Sequence, residues 1–474
     1  MRVLLVNPAF RRRVGNIWRY ISGTLPPLGL AHIAACLERE GIAVDIFDAH
    51  ALNITRDGYR GYFEGKKYDL IGITSTSAMF RSAVEASEEL KSIYPDALLV
   101  MGGVHPTVMP EQALAESSVD IVVAGEGEMT FVELARGANP SEVPGVVRRV
   151  DGEIVSNPPR PLIKNLDELP HPAWHLLPVK RYHPAVGGYH RLPAVHTLTS
   201  RGCPNACTYC YHIFGRGVRF RSVSHIMDEL KILVKRHGVR EVYFYDDTFN
   251  ANPKRVEALC NAMLEEELDL GWSCLGRLEK MTLELLALMK RAGCHAITYG
   301  LETTDPVVLK AINKKLDVEV AEKIIADTIE SGIETRVAFM MGNPGETRAA
   351  IERNIEYTLE CGAHMTMFNI ATPYPGTRMF EEGVAQGCIT DFDWEHYDFS
   401  TPILEVPGLD ARYLKETQKK AHMKYFMRPS YFWMRAKRIN NLIDLKNVLL
   451  AFMSISGIFT LVDKVSMLLS DQNR

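Results

Sequence analysis

Cys203, Cys207 and Cys210 stand in the run TSRGCPNACTYCY at residues 199–211, spaced C-x3-C-x2-C, with Tyr209 directly before the third thiol. Three thiolates can hold three irons of a four-iron cubane and leave the fourth iron without a protein ligand. Iron–sulfur clusters ordinarily take four cysteines, so a set of three leaves a position for a small molecule. The same logic separates an open catalytic zinc site from a closed structural one. Spacing alone also leaves open a zinc knuckle completed by His212, a Cys3His set.

The rest of the chain must position that triplet. At 474 residues it is long enough for about three domains. Hydrophobic content of 46% with 24% charged residues is ordinary for a globular protein. A net charge of −4, from 54 basic and 58 acidic residues, gives no basic field of the kind that binds nucleic acid. Nine cysteines scattered over the chain do not read as a disulfide framework, and MRVLLVNP reads as a first strand instead of a targeting segment. A reducing cytoplasm is the expected setting. Near the C-terminus, 448–462 is apolar but shorter than the ~20 residues a spanning helix needs. The aromatic, basic run before it, 425–438, suits a helix lying on a membrane surface, or else a cap on the remainder of the protein.

Residues 1–140 alternate strand and helix patterns. Apolar runs at 3–6, 44–47, 70–74, 98–101 and 121–123 predict a parallel sheet, and 28–40 shows helical periodicity. The expected fold is α/β: a doubly wound, Rossmann-like domain whose ligand lies beyond the carboxyl ends of its strands. Those ends carry Thr74, Ser75 and Thr76, then Gly102, Gly103 and His105, then Gly125, Glu126 and Gly127. Glycines let a ligand approach the backbone, hydroxyls offer hydrogen bonds, and a large, flat, amide-rich ligand fits such a rim. Residues 141–192 are proline-rich and read as a linker. Strands are expected at 194–198, 241–244, 271–274, 296–299, 335–341 and 365–370, with helices between them, as at 256–267 and 283–292. Six such units make a partial (β/α)6 TIM-like barrel, with its chemistry at the carboxyl ends of the strands. The triplet follows the first of them. Residues 401–474 read as helical.

On these motifs residues 193–400 resemble the radical S-adenosylmethionine (SAM) core, whose signature is the cysteine spacing with an aromatic before the third thiol. Residues 1–140 resemble the cobalamin-binding domain fused ahead of that core in one of its large subfamilies. Supporting stretches are Pro26-Pro27-Leu28-Gly29-Leu30, Gly125-Glu126-Gly127-Glu128, Asp246-Asp247-Thr248-Phe249, Gly300-Leu301-Glu302-Thr303, Gly342-Asn343-Pro344-Gly345-Glu346-Thr347 and Pro373-Tyr374-Pro375-Gly376-Thr377. The resemblance implies a [4Fe-4S] cluster on Cys203, Cys207 and Cys210, with SAM and cobalamin as further cofactors. It places Tyr209 beside SAM, Asp246 and Asp247 at the SAM amino group, Arg277 at its carboxylate and Glu302 at its ribose. It assigns cobalamin contacts to Thr74, Ser75, Thr76, Gly102, Gly103, His105, Gly125, Glu126 and Gly127. Asp48-Ala49-His50 is similar to a D-x-H-x-x-G cobalt-ligating signature, but residue 53 is Asn and the triplet follows the second strand. No histidine ligand to cobalt is therefore expected from His50, and His105 is expected as a hydrogen-bond donor at the rim.

The resemblance implies reductive SAM cleavage to a 5′-deoxyadenosyl radical, used for C-methylation of an unactivated carbon through methylcobalamin. A radical oxidative cyclase or rearrangement enzyme uses the same cofactors without methyl transfer, and a non-catalytic cobalamin or redox sensor would keep only the folds. A small-molecule substrate, hydrophobic by the character of the C-terminal segment, and a low-potential donor such as flavodoxin or ferredoxin are the expected partners.

Overall fold

The computed structural model describes residues 1–10, 23–185, 188–436 and Leu445. The apolar run 448–462 lies outside them. β1 (Arg2–Asn7), β2 (Ala43–Asp48), β3 (Leu70–Thr74), β4 (Leu98–Gly102) and β5 (Ile121–Val123) pair in parallel in the order β2-β1-β3-β4-β5. Val3 to Val6 are each at most 1% exposed, which is why β1 is continuously apolar and does not alternate. Val3 and Leu5 share a core with Leu30 and Ala34 of the helix Leu28–Arg39 and with Phe131 of Glu128–Ala135. Leu4 and Val6 pack in the opposite layer, with Phe80, Ala83 and Leu90 of Phe80–Ile93. Strand order reverses between β1 and β3, the point at which sheets of this order bind their ligands.

Residues 141–192, expected as a linker, include two strands. β6 (Val146–Val150) and β7 (Glu153–Ser156) form an antiparallel hairpin on the edge of β5. Exposed Arg149 and Glu153 break its apolar pattern, as edge strands commonly require. The proline-rich remainder is a strap between the sheets. Tyr182 donates to Asp48 Oδ2 of β2 at 2.7 Å, and Trp174 Nε1 donates to Glu229 of the helix Val223–His237 at 3.2 Å.

The second sheet holds β8 (Ala194–Thr197), while β9 (Ser200–Arg201) and β10 (Arg219–Phe220) form a separate antiparallel pair. β11 (Glu241–Phe244), β12 (Gly271–Gly276), β13 (Cys294–Glu302), β14 (Glu334–Met341) and β15 (Met365–Ile370) complete a wholly parallel open barrel in the order β15-β14-β13-β12-β11-β8. The helix Ala411–Phe426 closes over its β15 edge: Gln418 Nε2 donates to the Phe368 carbonyl at 2.8 Å, and Tyr425 donates to that of Ala363 at 2.5 Å. Among the described residues no helix is long and apolar enough to cross a membrane.

Candidate active site

β9 and β10 form the stem of a loop, residues 202–218, that carries all three signature cysteines. Gly202, at φ +98°, opens the loop in a left-handed conformation that favours glycine. The carboxyl ends of three barrel units hold it. Thr208 N–H donates to the Ile312 carbonyl at 3.0 Å, Asn313 Nδ2 to that of Ala206 at 2.7 Å, and Met379 N–H to that of Thr208 at 2.8 Å. Cys203 Sγ lies 3.4 Å from Thr248 Oγ1. Cys203 and Cys207 are buried and Cys210 is exposed. Crowding of its sulfur by the loop, then Asp247 and the other two thiols, push Cys210 up to about 12. A bound cationic centre would offset the charge of the Cys210 thiolate. Among the described residues, no group of three His, Cys, Asp or Glu side chains is arranged to hold a single metal ion.

Around this loop the structure reorders the residues expected at SAM. Asp246 is fully buried, and its Oδ1 accepts from Thr199 N–H at 3.0 Å, Thr199 Oγ1 at 2.9 Å and Ser200 Oγ at 2.5 Å. Its Oδ1 is the post that holds the start of the stem, while its buried Oδ2 has no hydrogen-bond partner among the described residues. Asp247, on the opposite side of the strand end, is exposed beside Cys210 and accepts from Gly202 N–H at 3.2 Å. Arg277 is pinned through its backbone by Asn250 and pairs with Glu279 at 2.6 Å, leaving its buried Nε without a partner. Glu302 ends β13 at φ +69°, a conformation that costs a non-glycine residue ~1–3 kcal/mol and recurs at functional sites. Tyr209 donates to Glu302 Oε1 at 3.4 Å. Lys314, which the sequence reading missed, lies 3.3 Å from the Tyr209 hydroxyl and 3.4 Å from that same carboxylate oxygen. The structure thus joins Tyr209, Glu302 and Lys314, with Asp247 and Arg277 at the same mouth. A carboxylate for hydroxyls and cations for a carboxylate are what an amino-acid sulfonium with a ribose needs.

The three strand ends of the N-terminal sheet are knitted into one rim. Ser75 N–H donates to the Gly102 carbonyl at 2.9 Å, Thr107 Oγ1 to that of Gly103 at 2.7 Å, and Gly125 N–H to Thr107 Oγ1 at 3.0 Å. Gly103 has φ +103°, and a Cβ there would stand 2.6 Å from the Ser75 carbonyl oxygen, so only glycine fits. Among the described residues, and apart from its chain neighbours, no atom lies within 4 Å of a Cβ built on Gly125. Thr74, Gly102, Gly103, Gly125 and Gly127 are partly accessible and Thr76 is exposed.

Three rim expectations are corrected. Ser75 is 1% exposed and serves the turn. His105 is fully buried, stacked on Phe80 at 4.2 Å between centroids, edge-on to Trp394 at 5.2 Å, with Nδ1 3.1 Å from Ser77 Oγ, so its ring packs the domain interface. Glu126 is buried and bound by Arg201 at 2.7 Å and Arg219 at 3.0 Å, while Glu128 takes the other Arg201 nitrogen at 2.6 Å. Neither arginine was singled out by sequence. Asp48 is consumed as the cap of the helix Ala49–Leu52, accepting from Ala51 N–H at 3.0 Å and Asn7 Nδ2 at 2.9 Å.

The three-cysteine loop of a partial β/α barrel thus lies against the strand-end rim of a doubly wound domain, joined to it by Arg201 and Arg219. Residues 17–135 match the B12 binding domain model and residues 197–358 the Radical SAM superfamily model. An uncharacterized methyltransferase of Pyrococcus horikoshii is 33% identical over 436 residues, covering 90% of this chain and 93% of that protein. The anaerobic magnesium-protoporphyrin IX monomethyl ester cyclase of Rubrivivax gelatinosus is 27% identical over 444 residues, covering 91% and 78%. The fold matches the radical SAM methyltransferase TsrM from Kitasatospora setae, solved with cobalamin and a [4Fe-4S] cluster, at TM-score 0.70 and 20% identity over 91% of this chain and 90% of that one. The chain belongs to the cobalamin-binding radical SAM family. It is a radical SAM enzyme whose cofactors are a [4Fe-4S] cluster, SAM and cobalamin.

Proposed function

We propose that this enzyme is a C-methyltransferase that acts on an unactivated carbon of a small organic substrate. The observation that carries the reading is the meeting of cluster loop and strand-end rim, locked by Arg201, which gives a radical and a methyl carrier one shared space. The 33% identical methyltransferase covering nearly the whole chain supports it. We assign the cluster to Cys203, Cys207 and Cys210; SAM to Tyr209, Asp247, Arg277, Glu302 and Lys314; and cobalamin to Thr74, Thr76, Gly102, Gly103, Gly125 and Gly127. The proposed domains are 1–140 with the β6–β7 hairpin, a strap to 192, the barrel to 400 and a helical segment beyond.

When bound, the cluster supplies the electron that cleaves SAM, and cobalamin carries the methyl group. The protein's part is orientation and exclusion of water. Lys314 and Arg277 hold the SAM carboxylate side, Glu302 holds hydroxyls, and burial of Cys203 and Cys207 shields the centre. A flavodoxin or ferredoxin delivers the electron. The likeness to the cyclase, over 91% of this chain, favours a second reading in which the radical drives ring closure and no methyl moves. Turnover of candidate substrates with methyl-labelled SAM separates the two: methyl transfer leaves label in the product, and an unlabelled oxidised product overturns it.

A further inference from the structure

Arg201 stands two residues before Cys203, on the stem of the cluster loop, and is buried with one guanidinium nitrogen on Glu126 and the other on Glu128. Both carboxylates belong to the third segment of the cobalamin-domain rim; their side chains are 2% and 5% exposed. The opposite stem strand is tied to the same point. Arg219 Nη1 pairs with Glu126 Oε2 at 3.0 Å and donates to the Ile163 carbonyl at 2.5 Å, while Ile163 N–H donates to Glu126 Oε2 at 2.7 Å. Phe214, within the loop, lies 5.1 Å below the Arg201 guanidinium.

Buried ion pairs are poor devices for stability, because desolvation offsets much of their attraction; their best-attested use is fixing registry. Here both strands of one loop are fastened to one rim segment, so the loop can neither slide along the rim nor pivot about a single contact. Two nitrogens of a planar fork on two carboxylates add directionality that a lysine lacks. We infer that the Glu126–Arg201–Glu128 node, with Arg219, is a positioning device that sets the separation of the iron–sulfur cluster from cobalamin. The inference rests on the cofactor assignments made above.

The test uses the full chain reconstituted with cluster and cobalamin, the cluster reduced and the cobalt held as cob(II)alamin, and pulsed dipolar EPR between the two spins. The wild type should give one narrow separation. Glu126→Gln, with iron, sulfide and cobalamin contents at wild-type values, should lose that single separation and give a broad distribution. An unchanged narrow separation in the loaded variant overturns the inference and leaves the cofactor sites standing. Selective loss of cobalamin from a variant that keeps its cluster also overturns it, because Glu126 would then be a cofactor contact. A wild-type chain that takes up no cobalamin overturns the parent assignment instead. Should Glu126→Gln fail to fold, Arg219→Gln and Arg201→Lys carry the same readout, with broadening expected in each and an unchanged separation in both refuting the device.

Discussion

Replacing Arg201 by methionine removes the central cation of the interface while keeping its bulk. Both of its partners are almost wholly buried, so solvent cannot take over its role. Glu126 retains Arg219 at 3.0 Å, which leaves Glu128 as the carboxylate stranded without its cation. The cost is therefore that of one broken buried pair and not two, ~3–5 kcal/mol. The loss is local to one interface, so the proper assay is hydrogen exchange at the stem amides, residues 199–202 and 218–221. At 1.4 kcal/mol per tenfold, protection there should fall roughly 100- to 4,000-fold, with the distal strands unchanged. The double variant Arg201→Met, Glu128→Gln should recover much of the loss, because it removes the stranded charge. A change below about tenfold in the single variant, or no recovery in the double, would refute the reasoning.

Three further outcomes are expected. Lys314→Met should weaken SAM binding roughly tenfold by calorimetry while cluster content stays constant, since one charge-assisted contact is lost; unchanged affinity would remove Lys314 from the site. Burial raises the carboxyl of Glu346 to about 7, against the hydrogen bonds from Asn343 and Gly342. A folded-state value above the unfolded one means the folded chain binds more protons. This contribution to stability is full below about pH 4.5, declines as pH rises and is gone above about 7. Glu346→Gln should flatten that part of the denaturation-midpoint profile, and an unaltered slope would show that another group titrates. Tyr182→Phe should leave the buried Asp48 Oδ2 without its 2.7 Å donor and lower stability by ~1–3 kcal/mol, read as a shift in urea midpoint.

The strands were legible because each is a buried apolar run: β3, β5, β11 and β15 begin and end where the pattern says, and the others differ by a few residues at their ends. The β6–β7 hairpin was not, because an edge strand shows one face to water and is too short to announce itself. Asp246 and Asp247 illustrate the limit at the site. Adjacent residues at a strand end face opposite sides, and sequence named both without telling the structural post from the exposed carboxylate. Glu126 was read as a cofactor contact because its partner Arg201 lies 75 residues away. Lys314 meets Tyr209 across 105 residues, with only an unremarkable Asn313-Lys314-Lys315 run to mark it. Local pattern thus located the loop ends, while long-range pairing decided which residues at them are free to bind.

The most direct measurement is anaerobic reconstitution of the full chain, followed by metal analysis and incubation with SAM and a low-potential reductant. The account predicts about four iron and four sulfide ions and about one cobalt per chain, with 5′-deoxyadenosine formed by the wild type and by none of the Cys203→Ala, Cys207→Ala or Cys210→Ala variants. Stoichiometric zinc in place of iron, or 5′-deoxyadenosine from the Cys207→Ala variant, would contradict it.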